Sequence, residues 1–381
     1  MFIYNARIHT MDPALGTIEN GYIVTDGDRI YDAGVYDGKE PRNVSEAKYK
    51  DAFDASGMII TPGFIDAHCH VGITEDSLGF EGDDLNEITD PVTPHLRAID
   101  AINPRDRSMR EALAGGVTAV AVGPGSANPV GGQCAVISTN GKRVDDMILL
   151  EPAFVKFALG ENPKKSYGKE NKAPMTRMAS AQFIRDTFAK GKEYIESDEQ
   201  KYDAKNIVAA KLLSRQLAAH FHAHRADDIF TAIRIAKEFS LDYTIVHCTE
   251  GHLIAAELAK EKINAIIGPV ICDRSKPELT NLDPGNAKAL YDAGILFAIC
   301  TDHPVIPLHY LPLAAGVTVR HGLPYDEALK AITVNPARIL KVDHLIGSIT
   351  PGKRADFAIF DGDPLSVYTK AVLVVAGGEK I

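Results

Sequence analysis

Histidines stand in alternation at two places in this chain of 381 residues. His68 and His70 flank a cysteine in FIDAHCH, and HFHAHRADD contains His220, His222 and His224. Side chains two residues apart on a β-strand point to the same face, so each set can present its imidazoles to one point. Imidazole nitrogen is a preferred ligand of Zn²⁺ and similar divalent ions. The spacing therefore predicts metal chemistry.

Eight short apolar runs, most of them separated by helical sequence, occupy the middle of the chain. They are GFIDAH, GVTAVAVG, CAVIST, AFVKFALG, AAHFHAH, DYTIVHC, NAIIGPV and LFAICTD. Near-continuous apolar runs are typical of strands buried on both faces of a parallel sheet, and their alternation with helices predicts an α/β fold, a (β/α)8 TIM barrel. Little helical sequence separates CAVIST from AFVKFALG, so we expect the barrel to be distorted there.

The two ends of the chain have a different pattern. Residues 1–55 and 345–381 contain short β-rich runs that are broken by glycine and aspartate turns. We expect them to pair into a small β-sandwich domain built from both termini, beside a catalytic barrel over residues 56–344. About 50 residues follow AFVKFALG before the next strand, which is far more than a usual βα loop, and the sequence assigns no role to segment 161–205.

The active sites of (β/α)8 barrels lie at the carboxyl ends of the strands. The side chains at such ends that can bind a metal are those of His68, His70, His222, His247 and Asp302. A single histidine at a strand end is more often a hydrogen-bonded structural residue, but independent accidents would have to coincide to give the full set. We therefore predict a centre for a divalent metal, with zinc favoured and manganese or iron as alternatives.

Two segments, ITPGFIDAHCHVG and AITVNPARIL…IGSITPGKRADFAIFDGDPL, resemble signatures of the amidohydrolase superfamily. The resemblance covers nearly the whole chain and is greatest for the imidazolonepropionase-like and prolidase-like branch. It implies a distorted barrel that holds one or two divalent metals at the positions named above. It also implies hydrolysis of an amide or another C–N bond by metal-bound hydroxide.

The resemblance further implies a small-molecule substrate, either a cyclic amide or a peptide-like compound of the kind that a dipeptidase cleaves. Asp302 and His247 are the catalytic candidates, because Asp302, beside the metal, can take a proton from water and pass it to the leaving nitrogen. A deaminase of an aminated heterocycle is the alternative, although His224 stands where some deaminating relatives carry a glutamate. A catalytically silent assembly protein is a third hypothesis, but silent relatives lose metal ligands that this chain retains.

A bridging ligand is a separate question. Dinuclear relatives bridge their two metals with a carboxylate from the fourth strand, which is often a carboxylated lysine, and AFVKFALGENP offers Lys156 and Glu161. Glu161 follows the apolar run as the other ligands do, whereas Lys156 lies roughly 16 Å lower on an extended strand. We therefore expect Glu161 to bridge two metals, with His222 and His247 serving the second. Lys156 is the alternative.

Four further side chains are candidates for substrate binding. His224 lies on the same face as His222, and His303 directly follows Asp302. Arg177 and Arg225 have the planar guanidinium that suits a carboxylate clamp. The alternatives are a polar residue at the start of a helix for His224, hydrogen bonding within a loop for His303, and solvated surface positions for the arginines.

Composition limits the remaining classes of function. The net charge of −10 disfavours nucleic acid or an anionic membrane as a partner. No apolar run reaches the roughly 18 residues that a membrane span needs, and the first residues lack the pattern of a secretory signal. Five widely spaced cysteines favour a reduced, cytoplasmic protein. A homo-oligomer is compatible with the sequence, since symmetric dimers are common.

Overall fold

Two sheets organise the protein, whose computed structural model describes residues 1–39, 41 and 51–381. Residues 40 and 42–50, which belong to the predicted terminal domain, lie outside the described residues. One sheet combines strands from both ends of the chain, and the other is the barrel that carries the alternating histidines.

The terminal sheet confirms the predicted pairing of the two chain ends. Its strands are β1 (Phe2–His9), β2 (Thr17–Asp26), β3 (Arg29–Val35), β4 (Ala52–Asp54), β5 (Ile59–Pro62), β14 (Phe357–Phe360), β15 (Ala371–Ala376) and β16 (Glu379–Lys380). Hydrogen bonds link them in the order β16-β15-β14-β5-β1-β2-β3, and β4 also pairs with β1. Because β5 belongs to this sheet, the terminal unit extends beyond the predicted boundary at residue 55.

The barrel sheet contains all eight predicted strands. They are β6 (Phe64–Cys69), β7 (Val117–Val122), β8 (Val130–Ser138), β9 (Ile148–Ala158), β10 (Ala218–Ala223), β11 (Tyr243–His247), β12 (Asn264–Ile267) and β13 (Leu296–Ile299). They follow one another around the sheet in chain order. The barrel is nearly closed, because the amide of Asp302, just after β13, donates to the carbonyl oxygen of His68 in β6 at 3.2 Å.

The predicted distortion lies at β8, which runs antiparallel to both of its neighbours. The other neighbouring pairs of the barrel are parallel. Nine residues, 139–147, separate β8 from β9, and their helix is the four-residue Val144–Met147. A parallel connection needs a crossover of a dozen or more residues, so this short link forces the chain to reverse.

Eleven α-helices lie in the described part of the chain, most of them around the barrel. They are α1 (Arg107–Ala114), α2 (Val144–Met147), α3 (Glu161–Gly168), α4 (Arg177–Glu196), α5 (Ala204–Leu213), α6 (Ala226–Glu238), α7 (Ala255–Glu261), α8 (Asn286–Asp292), α9 (Leu311–Arg320), α10 (Tyr325–Lys330) and α11 (Val334–Ile339). In α6 the apolar residues Ile229, Ala232, Ile233 and Ala236 recur at helical spacing, and all four are buried. This packing holds α6 against the barrel directly after the histidines of β10.

Segment 161–205 forms α3, α4 and the start of α5. The hydroxyl of Thr176 accepts the amide of Ala179 and caps α4. Phe188 of α4 is fully buried and stacks on Phe157 of β9, with their ring centroids 5.5 Å apart. The segment is therefore packed against the outer face of the strand that carries Lys156.

Candidate metal centre

The predicted ligands meet at one end of the barrel. His68 and His70 lie at the end of β6, where the strand meets the loop. His222 belongs to the end of β10, and His247 is the last residue of β11. Asp302 follows β13. All four histidines are buried, so the imidazoles face one another inside the barrel mouth.

Asp302 is placed between the two histidines of β6. Its Oδ1 lies 3.4 Å from Nε2 of His68 and 3.3 Å from Nε2 of His70. Two ligand atoms that each lie about 2.1 Å from one tetrahedral ion are separated by about 3.4 Å. The residues present therefore fit a divalent metal, and the ligand atoms of His68, His247 and Asp302 all lie within 4.8 Å of one another.

Backbone carbonyl groups orient two of these rings. Nδ1 of His70 lies 2.7 Å from the carbonyl oxygen of Gly123, and Nδ1 of His247 lies 2.8 Å from that of Gly268. A carbonyl oxygen can only accept, so each Nδ1 carries the proton and each Nε2 keeps its lone pair. Such outer hydrogen bonds are the usual means by which proteins aim histidine ligands at a metal.

Two of the predicted ligands have a strained backbone conformation. His247 and Asp302 have φ angles of 72° and 54°, a left-handed conformation that residues other than glycine seldom adopt. Strain of this kind persists where the surrounding structure imposes it, and it clusters at functional sites. Asp66 helps to impose it, because its buried carboxylate accepts the amides of His68 and Thr301 and so ties β6 to the segment after β13.

A second group of imidazoles adjoins the first. The ligand atoms of His222, His224 and His247 all lie within 4.8 Å of one another. The rings of His224 and His247 stack with their centroids 4.4 Å apart and a 9° angle between planes. His224, which we expected to contact substrate, thus lies inside the histidine cluster. His220 lies deeper, where its ring stacks on Phe154 at 3.6 Å.

Burial favours the uncharged form of these imidazoles. It lowers the pKa of His68 to about 3, with a further contribution from the positive charge of Lys156. Burial likewise lowers the pKa of His224 to about 4. Burial alone would raise the pKa of Asp302, but its interactions with His247, His68 and His70 outweigh burial and hold that pKa well below its usual value. Neutral imidazole and ionised carboxylate are the forms that bind metals.

Lys156 belongs to this cluster, and the expectation that it lies too deep is wrong. It is fully buried, and its Nζ lies 2.9 Å from Nε2 of His68. The register of β9 and β10 explains how the Lys156 side chain reaches the cluster. Ala158 pairs with His222, and Lys156 pairs with His220. Lys156 is thus one strand repeat below His222, and its long side chain covers that difference.

Glu161, our expected bridging ligand, lies elsewhere among the described residues. It is the first residue of α3, and it belongs neither to the potential metal-binding groups nor to the cavity lining. The turn at Gly160, with a φ of 87°, directs the chain from the strand into the helix. Of the two candidates from the fourth strand, Lys156 lies in the cavity lining beside His68 and Glu161 lies outside that lining.

The cluster forms the floor of a cavity of about 380 Å³. That volume suits a small molecule rather than a protein surface. Around the cluster, the cavity is lined by polar side chains that include Asn86, Ser126, Asn162, Lys165, Asp273 and Lys276. The cavity therefore offers several hydrogen-bonding groups and two lysine side chains to a substrate.

The two arginines that we expected in the pocket have protein partners instead. Nε of Arg177 donates to both carboxylate oxygens of buried Asp228, at 2.9 and 3.1 Å. Arg225 pairs with Asp227 at 3.0 Å on the surface. His303 is buried beside Asp302 in sequence, but within the described ranges it also lies outside the cavity lining. The partners of both arginines lie in the first turn of α6, so its acidic start binds the two arginines.

Glu278 is a residue that the sequence did not indicate. It lies in a 3₁₀ turn, Pro277–Leu279, in the loop after β12, and its side chain is 2% exposed. Its Oε1 faces His224 and His222. No pattern in RSKPELTN distinguishes it from a solvated loop glutamate, so only the folded chain reveals the position.

Comparison with protein families identifies one family over most of the chain. The model of the amidohydrolase family matches residues 59–378. The chain belongs to the amidohydrolase family. Family membership and the relatives described next, among them imidazolonepropionases, support a hydrolase that acts on C–N bonds.

Several proteins resemble this amidohydrolase over most of its length. The amidohydrolase tasK of Hapsidospora irregularis is 28% identical over 99% of this chain, which spans 42% of that protein. The imidazolonepropionase of Geobacillus kaustophilus is 24% identical, and the match covers 91% of this chain and 85% of that protein. A solved amidohydrolase from Thermotoga maritima is 38% identical with a TM-score of 0.93, over 100% of this chain and 99% of that one.

A more distant structure shares the fold alone. It is a Xaa-Pro dipeptidase with bound methionine, which is 18% identical with a TM-score of 0.61 and covers 100% of this chain and 99% of its own. In the described ranges, the helices are too short or too polar to cross a bilayer.

Proposed function

We propose that this amidohydrolase is a metal-dependent enzyme that hydrolyses the C–N bond of a small cyclic amide or peptide-like substrate. His68, His70, Asp302 and Lys156 would hold the ion, with His247 beside them. Zinc is the favoured metal, since the donors are imidazole nitrogen and carboxylate oxygen. When bound, a divalent ion supplies Lewis acidity, which polarises a scissile carbonyl and acidifies water.

The distances from Asp302 carry this proposal. One carboxylate oxygen lies 3.3 and 3.4 Å from two imidazole nitrogens, in a buried and nearly closed site. These separations exceed a good hydrogen bond but suit atoms that share an ion. The carbonyl groups that orient His70 and His247 support the same interpretation.

Asp302 is also suited to move the proton. Asp302 lines the cavity, and its contacts with His68 and His70 both use Oδ1, so Oδ2 would be the acceptor for attacking water. A carboxylate in this place can take that proton and return it to the leaving nitrogen, which must be protonated to depart. His247 belongs to both groups of imidazoles and lies beside this carboxylate.

The cavity supports a small polar substrate. Its volume of about 380 Å³ accommodates compounds such as the cyclic amide or the dipeptide that the names of the similar proteins indicate. Lys165 and Lys276 line it, in place of the two arginines that we expected, and either could bind a substrate carboxylate.

Substrate panels test this proposal. Metal-loaded protein would be assayed with Zn²⁺ or Mn²⁺ against cyclic amides, dipeptides and N-acyl amino acids, with Asp302→Asn as the control. Turnover of the substrates in one panel by the natural sequence, together with its loss in Asp302→Asn, supports the proposal. Ammonia release from aminated heterocycles alone would favour the deaminase alternative. No turnover in any panel, with the metal shown to be bound, would contradict it and favour a silent assembly protein.

The proposed setting is the cytoplasm, without nucleic acid or membrane as a partner. All five cysteines are free and most are buried, as in proteins of reducing compartments. The net charge of −10 argues against polyanionic partners. A homo-oligomer remains a prediction, which light scattering of the purified protein would check.

A further inference from the structure

A second cavity adjoins the one above the histidine cluster. It has a volume of about 310 Å³ and lies between the long loop after β6, the segment after β7 and the start of β8. The two cavities share three lining residues, Leu85, Asn86 and Gly125. A molecule bound over the histidines therefore has a second space directly beside it.

The shared wall is tied to the histidines of β6. The carbonyl oxygen of Gly123 lies 2.7 Å from Nδ1 of His70. Two residues later, the amide of Gly125 donates to the carbonyl oxygen of Leu85 at 2.9 Å. The adjoining cavity therefore lies on the side of the cluster where β6 and β7 end.

Gly125 lets Asn86 pack into this shared wall. A Cβ built on Gly125 would lie 2.6 Å from Oδ1 and 2.7 Å from Nδ2 of Asn86. The Oδ1 of Asn86 accepts the amide of Ala127 at 3.0 Å, which holds the side chain in this position. An amide side chain packed on a glycine thus forms part of the boundary that both cavities share.

Hydrogen bonds with β8 and the residues before it fix the outer wall. The amide of Gln133 donates to the carbonyl oxygen of Leu96 at 2.8 Å, and the amide of Thr93 donates to that of Val130 at 2.8 Å. The side chain of Asn128 donates to the hydroxyl of Thr93 at 2.9 Å. The loop after β6 is therefore held at several points by the barrel sheet.

Apolar groups form much of the lining. Six of its residues are Ile73, Leu85, Leu96, Ala98, Ala101 and Pro124. His95 contributes a buried Nδ1 that has no hydrogen-bond partner within the described ranges, so it can serve a polar atom of a bound molecule. Apolar walls with a few polar groups are typical of sites for small molecules.

The charged side chains around this cavity argue against an anion. Arg97 lines it, but its guanidinium pairs with Glu151 at 2.8 Å. Asp84, Glu87 and Asp100 also line it, and they form no ion pair with lysine or arginine in the part of the chain that the structure describes. A carboxylate placed here would meet like charge without a free lysine or arginine to offset it.

We propose that the adjoining cavity is a specificity subsite that takes an uncharged, mainly apolar extension of the substrate, such as an alkyl chain or a phenyl ring. This inference rests on the proposed metal-dependent function and narrows its substrate class to amides that carry such a group. Leu96 and Ala101 would be the specificity-determining residues, because they line the subsite but not the first cavity.

Hydroxamates test the subsite without the natural substrate, because a hydroxamate chelates zinc and leaves the rest of the molecule free to extend. The zinc-loaded full chain would be titrated in a calorimeter with acetohydroxamate, hexanohydroxamate and adipate monohydroxamate. We expect hexanohydroxamate to bind at least about tenfold more tightly than acetohydroxamate, since burial of its alkyl chain is favourable. Adipate monohydroxamate, which ends in a carboxylate, should lose this gain.

Two variants change the subsite and leave the histidines in place. Ala101→Phe fills the space, and Leu96→Asp adds negative charge to its wall. Each should remove the advantage of hexanohydroxamate and keep the affinity for acetohydroxamate. Leu96 is 40% exposed, so Leu96→Asp should fold even if Ala101→Phe does not, which circular dichroism would verify.

Leu253→Asp is the matched control. Leu253 is also an exposed leucine of a loop at the same end of the barrel, but it lies outside both cavity linings. Its affinities for all three hydroxamates should equal those of the natural sequence.

The outcomes separate this inference from the function on which it rests. Equal affinities for acetohydroxamate and hexanohydroxamate would overturn the subsite and leave the metal-dependent function intact. A gain for hexanohydroxamate that survives in the folded variants would overturn it too, because the chain would then lie elsewhere. An equal gain for adipate monohydroxamate would overturn the preference for an uncharged extension. No binding of any hydroxamate, with zinc shown to be bound, would overturn both the subsite and the function.

Discussion

The side-chain nitrogen of Lys156 lies 2.9 Å from Nε2 of His68, within the buried floor of the barrel mouth. A free amine at this distance would compete with a metal for the histidine lone pair. Reaction of the amine with carbon dioxide, with loss of a proton, would form a carbamate, which would remove that competition and could hold a metal through oxygen. Under the proposed function, Lys156 rather than Glu161 would then be the ligand from the fourth strand.

Lys156→Met is expected to lower the bound metal and to reduce turnover by at least about 10²-fold, the scale of a lost catalytic group. Lys165→Met is the control, because Lys165 lines the same cavity above the cluster. It should keep the metal and change mainly KM. Glu161→Gln should keep the metal as well. Elemental analysis decides between Lys156 and Glu161 as the metal ligand. Loss of metal in Glu161→Gln but not in Lys156→Met would support the sequence-based prediction of Glu161.

Asp302→Asn is expected to retain much of the metal but to reduce kcat by at least about 10²-fold, because an amide cannot take the proton of water. Asp273→Asn provides the comparison, since Asp273 lines the same cavity outside the histidine groups. It should keep kcat close to that of the natural sequence. Steady-state kinetics on any substrate found in the panels measures both. A near-normal kcat for Asp302→Asn would assign the proton to another residue.

Arg177→Ala should reduce the free energy of unfolding by about 1–3 kcal/mol, because it leaves the buried carboxylate of Asp228 unpaired. Arg225→Ala removes an exposed pair with Asp227 and should cost at most about 1 kcal/mol. Denaturant unfolding measures both. Neither variant should change KM, and a large rise in KM for Arg225→Ala would bring that arginine back as a substrate ligand.

Gly160→Ala should destabilise the protein by about 1–3 kcal/mol, since its φ of 87° and the contact with Glu278 both disfavour a Cβ. Gly168→Ala, at the last residue of α3, should be neutral or stabilising, because a Cβ there meets nothing within 4 Å. Thermal unfolding of the two variants checks this contrast. Equal midpoints would show that the turn at Gly160 tolerates a side chain.

The sequence was sufficient for the barrel strands and for the convergence of the histidines. Strands buried on both faces are apolar along their whole length, and alternation places His68 and His70 on one face. The antiparallel direction of β8 was not predicted from the sequence. The lack of helical sequence before β9 did indicate where the barrel is irregular. The two ends of the chain pair in one sheet although they are far apart in sequence, and both were recognisable as β-rich segments.

Lys156 shows where counting along a strand fails. The observed strand β9 ends at Ala158, before the end of the apolar run, and Lys156 is therefore near its top. The level of a residue also depends on register with the next strand, which the sequence does not specify. Glu278 lies in a loop, where no periodicity of the sequence relates it to His222 and His224. Arg177 lies outside the pocket because it pairs with Asp228, which is distant from it in sequence.

Bound metal in the double variant His68→Ala, His70→Ala tests the central claim most directly, because it needs no substrate. Both rings lie at the barrel mouth, so the barrel should fold, which circular dichroism would verify. His321→Ala, His344→Ala removes two exposed histidines and serves as the control. We predict that elemental analysis finds at least one metal equivalent fewer in the first variant and no change in the control. Equal metal content in the folded double variant and the natural sequence would contradict the account.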